Sequence, residues 1–200
     1  MNNNWQMPLI KRCKFLDIMK HAKIIDNALD RGYFEHLNKK ILHSGPEFQW
    51  MFNEKVATHD DDPDDEQFYF VSSFYNNNNI ENKFYYELKP LLDFLEVKAI
   101  IRARAIMYCN QGKQIIHGSH IDFCYDHKAA LLYMNTCNGF TLMCDDDWDR
   151  DNGDVNGRYE QGNKIMSVEN RIAIHNGATP HCSSTCTDDR KRIVLAINYF

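Results

Sequence analysis

The sequence predicts a mainly β fold with flanking helices, in which N-terminal helices over 1–96 support an antiparallel β core over 97–200 in one domain spanning 1–200. Three observations predict it. Apolar residues recur at helical spacing in the first third, and short apolar runs bounded by Gly, Asn and Asp fill the second half. A chain of 200 residues also suits a single hydrophobic core.

From Asp26 the chain reads DNALDRGYFEHLNKKILHSG, which places Leu29, Tyr33, Leu37 and Ile41 on one helical face. Asp26 or Asn27 can cap its start, and Gly45-Pro46 marks its stop. A second helical stretch over 81–96 carries Phe84, Leu88, Leu91, Leu92 and Leu95, with Pro90 setting a kink or a new start. Between the two, Trp50, Phe52, Phe68, Phe70 and Phe74 occupy short strand-like segments. The acidic stretch 59–66 reads as a solvated turn, and the four asparagines at 76–79 read as a polar turn. Strands are then expected at 97–108, 129–135, 140–144, 164–168, 171–175 and 192–200, a spacing that indicates a sandwich or barrel.

Composition excludes several classes. The formal net charge of −5 argues against a dedicated nucleic-acid surface. No run of 18 apolar residues offers a membrane span, and the N-terminal MNNNWQMPLIKRCKF lacks the features of a secretory signal. Seven cysteines without a C-x-x-C pair suit a reduced, cytoplasmic protein better than a disulfide framework or a zinc knuckle.

The chemistry concentrates in the β half. In an extended strand residues two apart share a face, so His120 and Asp122 can meet one metal ion. His181 follows the turn Asn176-Gly177-Ala178-Thr179-Pro180, and Arg192 opens the apolar run RIVLAINYF. Two imidazoles and one carboxylate on one face of an octahedral ion leave positions open, an arrangement suited to non-haem Fe(II). A guanidinium at the end of the same barrel offers a bidentate partner for a carboxylate.

The stretches RARAIMYCNQGKQIIHGSHIDF, ENRIAIHNGATPHCSSTCTDD and KRIVLAINYF resemble the Fe(II)/2-oxoglutarate-dependent dioxygenases, within them the prolyl-4-hydroxylase-like group. IIDNALDRGYFEHLNKKIL followed by Trp50 is similar, more weakly, to the helix that precedes the core in that group. The resemblance implies a double-stranded β-helix (jelly roll), with His120, Asp122 and His181 as Fe(II) ligands. It also implies that Arg192 pairs with the distal carboxylate of the co-substrate 2-oxoglutarate, and that Tyr108 hydrogen-bonds the same group. The implied reaction consumes dioxygen and hydroxylates a C–H bond with release of succinate and CO2, with ascorbate as an auxiliary reductant. One departure stands out: His175 occupies a position where the family commonly has Phe, and is read as a packed core residue in preference to one that touches the metal ligands.

Neighbouring residues have simpler readings. His117 has the wrong parity to share the face of Asp122 and is expected at the rim, and His127 is expected on the surface. Arg190 competes with Arg192 at the same strand parity, but Arg192 abuts the apolar run and should lie deeper. Ser183, Thr185 and Thr187 suit a connector, while Asn135 and Asn198 could reach the co-substrate from adjacent strands. Cys124, Cys182 and Cys186 read as small buried hydrophobes. The acidic stretch 145–157 fails as a calcium loop, because counting from Asp147 puts Asn152 and Arg158 where Gly and Glu are required.

The prime substrate is not written in the sequence. A protein or peptide residue, such as proline, is favoured over nucleic acid or a small molecule. The competing classes are a non-catalytic cupin-like jelly roll that serves as a metal-binding or interaction module, and a structural β-sandwich in which the His-x-Asp spacing is coincidental.

Overall fold

The final strand runs Lys191–Tyr199, and apart from Lys191 every residue in it is buried. Ile193, Leu195, Ile197 and Tyr199 face one core, whereas Val194 and Ala196 face another. A strand buried on both faces reads as a continuous apolar run, which is why RIVLAINYF shows no alternation. That strand lies at the centre of a large antiparallel sheet.

The computed structural model describes residues 16–19, 22–42, 45, 48–54, 68–144 and 164–200. The acidic stretches 59–66 and 145–157, Pro46 and Cys13 lie outside the described residues. In chain order the elements are β1 (Leu16–Met19), β2 (Ala22–Ile25), α1 (Arg31–Ile41), β3 (Met51–Asn53), β4 (Tyr69–Asn76), β5 (Asn79–Ile80), a 3-10 helix (Lys83–Leu88) and α2 (Lys89–Phe94). There follow β6 (Ile100–Cys109), β7 (Lys128–Tyr133), β8 (Phe140–Met143), β9 (Lys164–Met166), β10 (Arg171–Asn176), β11 (His181–Ser183) and β12 (Lys191–Tyr199). The large sheet runs β1-β2-β10-β7-β12-β6-β4-β3, with β5 paired to β4, and a smaller sheet runs β11-β8-β9. Mostly β, antiparallel and built of two facing sheets, the fold is the expected jelly roll.

Helices cover the outer face of the large sheet. Tyr33, Phe34, Leu37 and Ile41 of α1 join Leu88 and Leu91 against Ala103, Ala105, Leu132 and Ile172. The helical face predicted from the sequence is correct, but its start is not. Asp30 caps α1 by accepting from the Tyr33 N–H at 3.1 Å. Asp26 is instead held by Arg171, and Asn27 takes a positive φ of 48° in the turn that leads to the helix. The second helical stretch splits where Pro90 stands, a 3-10 segment giving way to a fresh α-helical start. The asparagine run is a hairpin between β4 and β5, with Asn77 and Asn78 both at positive φ (48° and 61°) as a two-residue turn requires.

Sequence reasoning also missed that strands ahead of residue 97 belong to the sheet. The β4 strand pairs with β6, and β2 pairs with β10. The inner face of the sheet, formed by Ala22, Ile24, Ile106, Tyr108, Leu131, Tyr133, Ala173, Val194 and Ala196, packs toward Met143 and Ile165 of the small sheet. The candidate site opens between these layers.

Candidate metal centre and its cavity

His120 does not lie on a regular strand. It forms an isolated bridge with His181, the first residue of β11, and each backbone N–H donates to the other's carbonyl at 2.9 Å. The bridge sets the two imidazoles side by side, ring centroids 4.6 Å apart. Asp122 is positioned by a different contact, its N–H donating to the Gly177 carbonyl at 2.9 Å. Gly177 is required at this crossing, since a Cβ there would come within 2.0 Å of the His127 ring. One donor atom each from His120, Asp122 and His181 then lies within 4.8 Å of the others, and Nε2 of His181 is 3.9 Å from Asp122 Oδ2.

Their surroundings suit a divalent cation. The Nδ1 of His181 is 2.9 Å from the Thr179 carbonyl and the Nδ1 of His120 is 3.4 Å from that of Gly118. Donation from Nδ1 leaves each Nε2 as the lone-pair face. Burial, reinforced by the nearby charge of His181, pushes His120 down to about 4, so it is neutral and able to ligate at neutral pH. Burial opposes the charge of Asp122, but His181, Arg102 and Asn198 outweigh it and hold the carboxyl well below the usual carboxylate range. Arg102 donates to Asp122 Oδ1 at 2.5 Å, and Asn198 donates to Oδ2 at 2.9 Å. The donor set and its supports fit Fe(II).

A cavity of about 320 Å³ extends from this cluster between the sheets. Arg192 lies along it, fully buried, with Nη1 donating to the Ser184 carbonyl at 3.2 Å and Nη2 to Thr141 Oγ at 2.8 Å. Its Nε is buried without a partner among the described residues. Tyr108, its cross-strand neighbour, and Tyr133 hold their rings 5.6 and 5.5 Å from the guanidinium carbon. Burial raises the pKa of both phenols, against the pull of Arg192, so both remain hydrogen-bond donors. A guanidinium with a spare buried N–H, beside the Tyr108 ring that lines the same cavity, fits the far carboxylate of a dicarboxylic co-substrate.

No protein family matches the sequence, and no curated protein does. Solved structures do. An oxidoreductase of the 2OG-Fe(II) oxygenase family from Burkholderia pseudomallei superposes with a TM-score of 0.62 at 10% identity, covering 90% of this chain and 85% of the other. A prolyl hydroxylase from Trichoplax adhaerens, in complex with a hypoxia inducible factor oxygen degradation domain peptide, gives 0.61 at 11% identity over 90% and 83%. The epimerase SnoN, in complex with Fe3+, alpha ketoglutarate and nogalamycin RO, gives 0.56 at 11% identity over 90% and 78%. The fold is that of the 2OG-Fe(II) oxygenases.

Within this oxygenase fold, several neighbours depart from their sequence reading. His117 is not at the rim: it is fully buried, its ring 4.7 Å from that of Tyr108 and its Nδ1 3.0 Å from Ser183 Oγ. His127 is not a surface residue, since its Nε2 lies 3.1 Å from Asn198 Nδ2 beneath the Asp122 carboxylate. The parity argument failed for His117 because its segment is a looped crossing, not a strand, and the surface reading failed for His127 because that crossing is tied down on β11 and β10. His175 packs edge-on against His181 at 4.9 Å, and both its ring nitrogens are buried without a partner among the described residues. It is packed, but not hydrogen-bonded, and it does touch a candidate ligand.

Arg190 is exposed, so the depth argument favouring Arg192 agrees with the structure. Ser183 lines the cavity, and Thr185 fastens the backbone of Lys113 and Ile115. Asn198 reaches Asp122, whereas Asn135 is turned away to Asp189 and the backbone of Lys191 and Ile193. Cys182 is buried with Phe140 and Leu142, while Cys124 is exposed. Cys137, Cys186 and Asp188 also bring donor atoms within 4.8 Å of one another, but burial pushes the Cys186 thiol up to about 12. Tyr69, Thr141, Arg102 and Arg104 are polar cavity residues that sequence reasoning did not single out. Parity along β6 would have found the two arginines, which share a face with Tyr108.

Proposed function

We propose that the chain is an Fe(II)- and 2-oxoglutarate-dependent dioxygenase that hydroxylates a substrate C–H bond, with His120, Asp122 and His181 holding the metal. One observation carries the reading: a single cavity joins a two-His, one-carboxylate cluster to a buried guanidinium with an unpartnered N–H. When bound, Fe(II) and 2-oxoglutarate supply the oxidising power that inserts oxygen from O2 into the C–H bond, with succinate and CO2 released.

The residues of the chain do the positioning. Arg192, with Tyr108 and Tyr133 beside it, binds the distal carboxylate and so sets how far the co-substrate extends toward the triad. Arg102 and Asn198 orient Asp122, and the carbonyls of Gly118 and Thr179 orient the two imidazoles. Ile106, Leu131, Val194 and Ala196 give the cavity an apolar floor that excludes water from the reaction.

The substrate is a protein or peptide residue, with proline the first to test; the acidic net charge of −5 disfavours nucleic acid. The structural neighbours act on or bind chemically different molecules, so the fold leaves this choice to the cavity. Residues 1–200 act as one unit. Among the described residues no helix is long and apolar enough to cross a membrane, and a cytoplasmic location is proposed with the reduced cysteines.

The test is an anaerobic titration of the protein with Fe(II) and then 2-oxoglutarate. A visible charge-transfer band should develop in the wild type and be missing in His120→Ala. With O2 and ascorbate the wild type should convert 2-oxoglutarate to succinate. If the band and the succinate are missing, or the same in both proteins, the reading is wrong.

A further inference from the structure

Three arginines line the cavity, and two have defined tasks. Arg102 pairs with Asp122, and Arg192 is bound to Thr141 and the Ser184 backbone. Arg104 makes no hydrogen bond or ion pair to any described residue, and its Nε is buried. It stands two residues along β6 from Arg102 on the same face, between Ser73 of β4 and Ala196 of β12. The same cavity is also lined by the apolar Ile106, Val194 and Leu131.

The buried Nε of Arg104 has no partner among the described residues, and an anionic ligand in the cavity would satisfy it. Arg104 lines the same cavity as His120, Asp122 and His181, which places it beside the candidate metal cluster. The co-substrate does not account for it. One carboxylate of 2-oxoglutarate is matched by Arg192 and the other end by the metal, after which the cationic groups of the cavity still outnumber the anionic ones.

We propose that Arg104 is the recognition group for the molecule being oxidised, which carries a carboxylate or a phosphate close to the reacting C–H bond. The proposal rests on the oxygenase reading and deepens it by naming the substrate's chemistry. The planar fork of Arg104 accepts either anion in bidentate fashion. An acidic residue of a peptide and a phosphorylated compound are the two sources of such a group.

The experiment uses the whole chain loaded with Mn(II) and N-oxalylglycine, an unreactive analogue of the co-substrate. Acetate, phosphate and the uncharged acetamide are the probes. Paramagnetic relaxation of the acetate and acetamide methyl protons, and of the phosphate phosphorus, reports approach to the metal. The wild type should relax acetate or phosphate saturably and acetamide hardly at all, the better anion naming the source. Arg104→Met should weaken the favoured anion by about tenfold or more, and Arg104→Lys should restore part of it. The melting-temperature rise caused by Mn(II) and N-oxalylglycine should be the same in Arg104→Met as in the wild type.

Equal relaxation by acetamide, or an unchanged anion affinity in Arg104→Met, overturns the proposal. Loss of the N-oxalylglycine shift in Arg104→Met alone also overturns it, because the residue would then serve the co-substrate. If the shift is missing in the wild type as well, the oxygenase reading itself fails.

Discussion

His120 and His181 are joined through their backbones, each N–H donating to the other's carbonyl at 2.9 Å, so the spacing of their rings is set by main-chain pairing. The pair therefore survives loss of either ring. His120→Ala should fold and melt within a few degrees of the wild type without metal, yet lose the stabilisation that Mn(II) gives. Thermal melts with and without Mn(II) check this; a mutant stabilised as much as the wild type removes His120 from the metal site.

Asn198 Nδ2 donates to the Asp122 carboxylate and lies 3.1 Å from His127 Nε2, while its Oδ1 accepts from Arg102 Nε at 3.2 Å. Asn198→Leu keeps the volume and removes the donor. Metal affinity should fall by about 10- to 100-fold, the usual cost of losing a group that orients a ligand. Competition with a chelator measures it, and an unchanged affinity would mean that Arg102 alone suffices.

Gly139 lies against Arg192. A Cβ at that position would come 2.6 Å from Arg192 Cδ and 3.1 Å from the Thr185 carbonyl, so Gly139→Ala must push the buried guanidinium aside. N-oxalylglycine should bind about tenfold or more weakly, while metal affinity stays as in the wild type. Arg192→Met should cost more, about 100-fold, by removing a charged hydrogen-bonding partner outright. Calorimetry on the Mn(II)-loaded proteins distinguishes these outcomes from a general loss of folding.

Burial holds His117 and His175 down to about 3, against an ordinary value of 6.5. An unfolded chain takes up these protons below about pH 6.5, while the folded one resists until about pH 3. Both groups therefore favour the folded state above pH 6.5, and that stability is lost as the pH falls. The melting temperature of the metal-free protein should drop steadily from pH 7 to 4. In His175→Phe the drop should be shallower, since at pH 4 that residue alone accounts for on the order of 3 kcal/mol. An identical slope in the mutant would contradict the burial argument.

How far the sequence could be read depended on the backbone. Where the chain runs as strand, depth could be read: Arg192 abuts the apolar run and is buried, whereas Arg190, at the same parity, is exposed, and Arg192 proves to be the cross-strand neighbour of Tyr108. The His120, Asp122 and His181 cluster was legible because their residue types are unusual together. The reasoning that linked them, a shared strand face, was wrong in detail, since a bridge and a contact to Gly177 bring them together. His117 was misplaced because no periodicity applies in a looped crossing, and His127 because a loop that folds back under the site is not a surface loop. Asp26 looked like a helix cap but is held by Arg171, 145 residues away, a partner that local pattern cannot reveal.

The two flanks of the large sheet have a consequence for any shortened form of this protein. A fragment beginning at residue 97 would retain all the residues proposed for iron and 2-oxoglutarate, yet β6 would lose β4 on one side and β10 would lose β2 on the other. Two bare strand edges would then offer unpaired N–H and C=O groups to any passing chain, and the apolar face covered by α1 would be open to water. A stretch that carries none of the proposed metal or co-substrate residues thus acts as the guard that keeps the β core from sticking to itself.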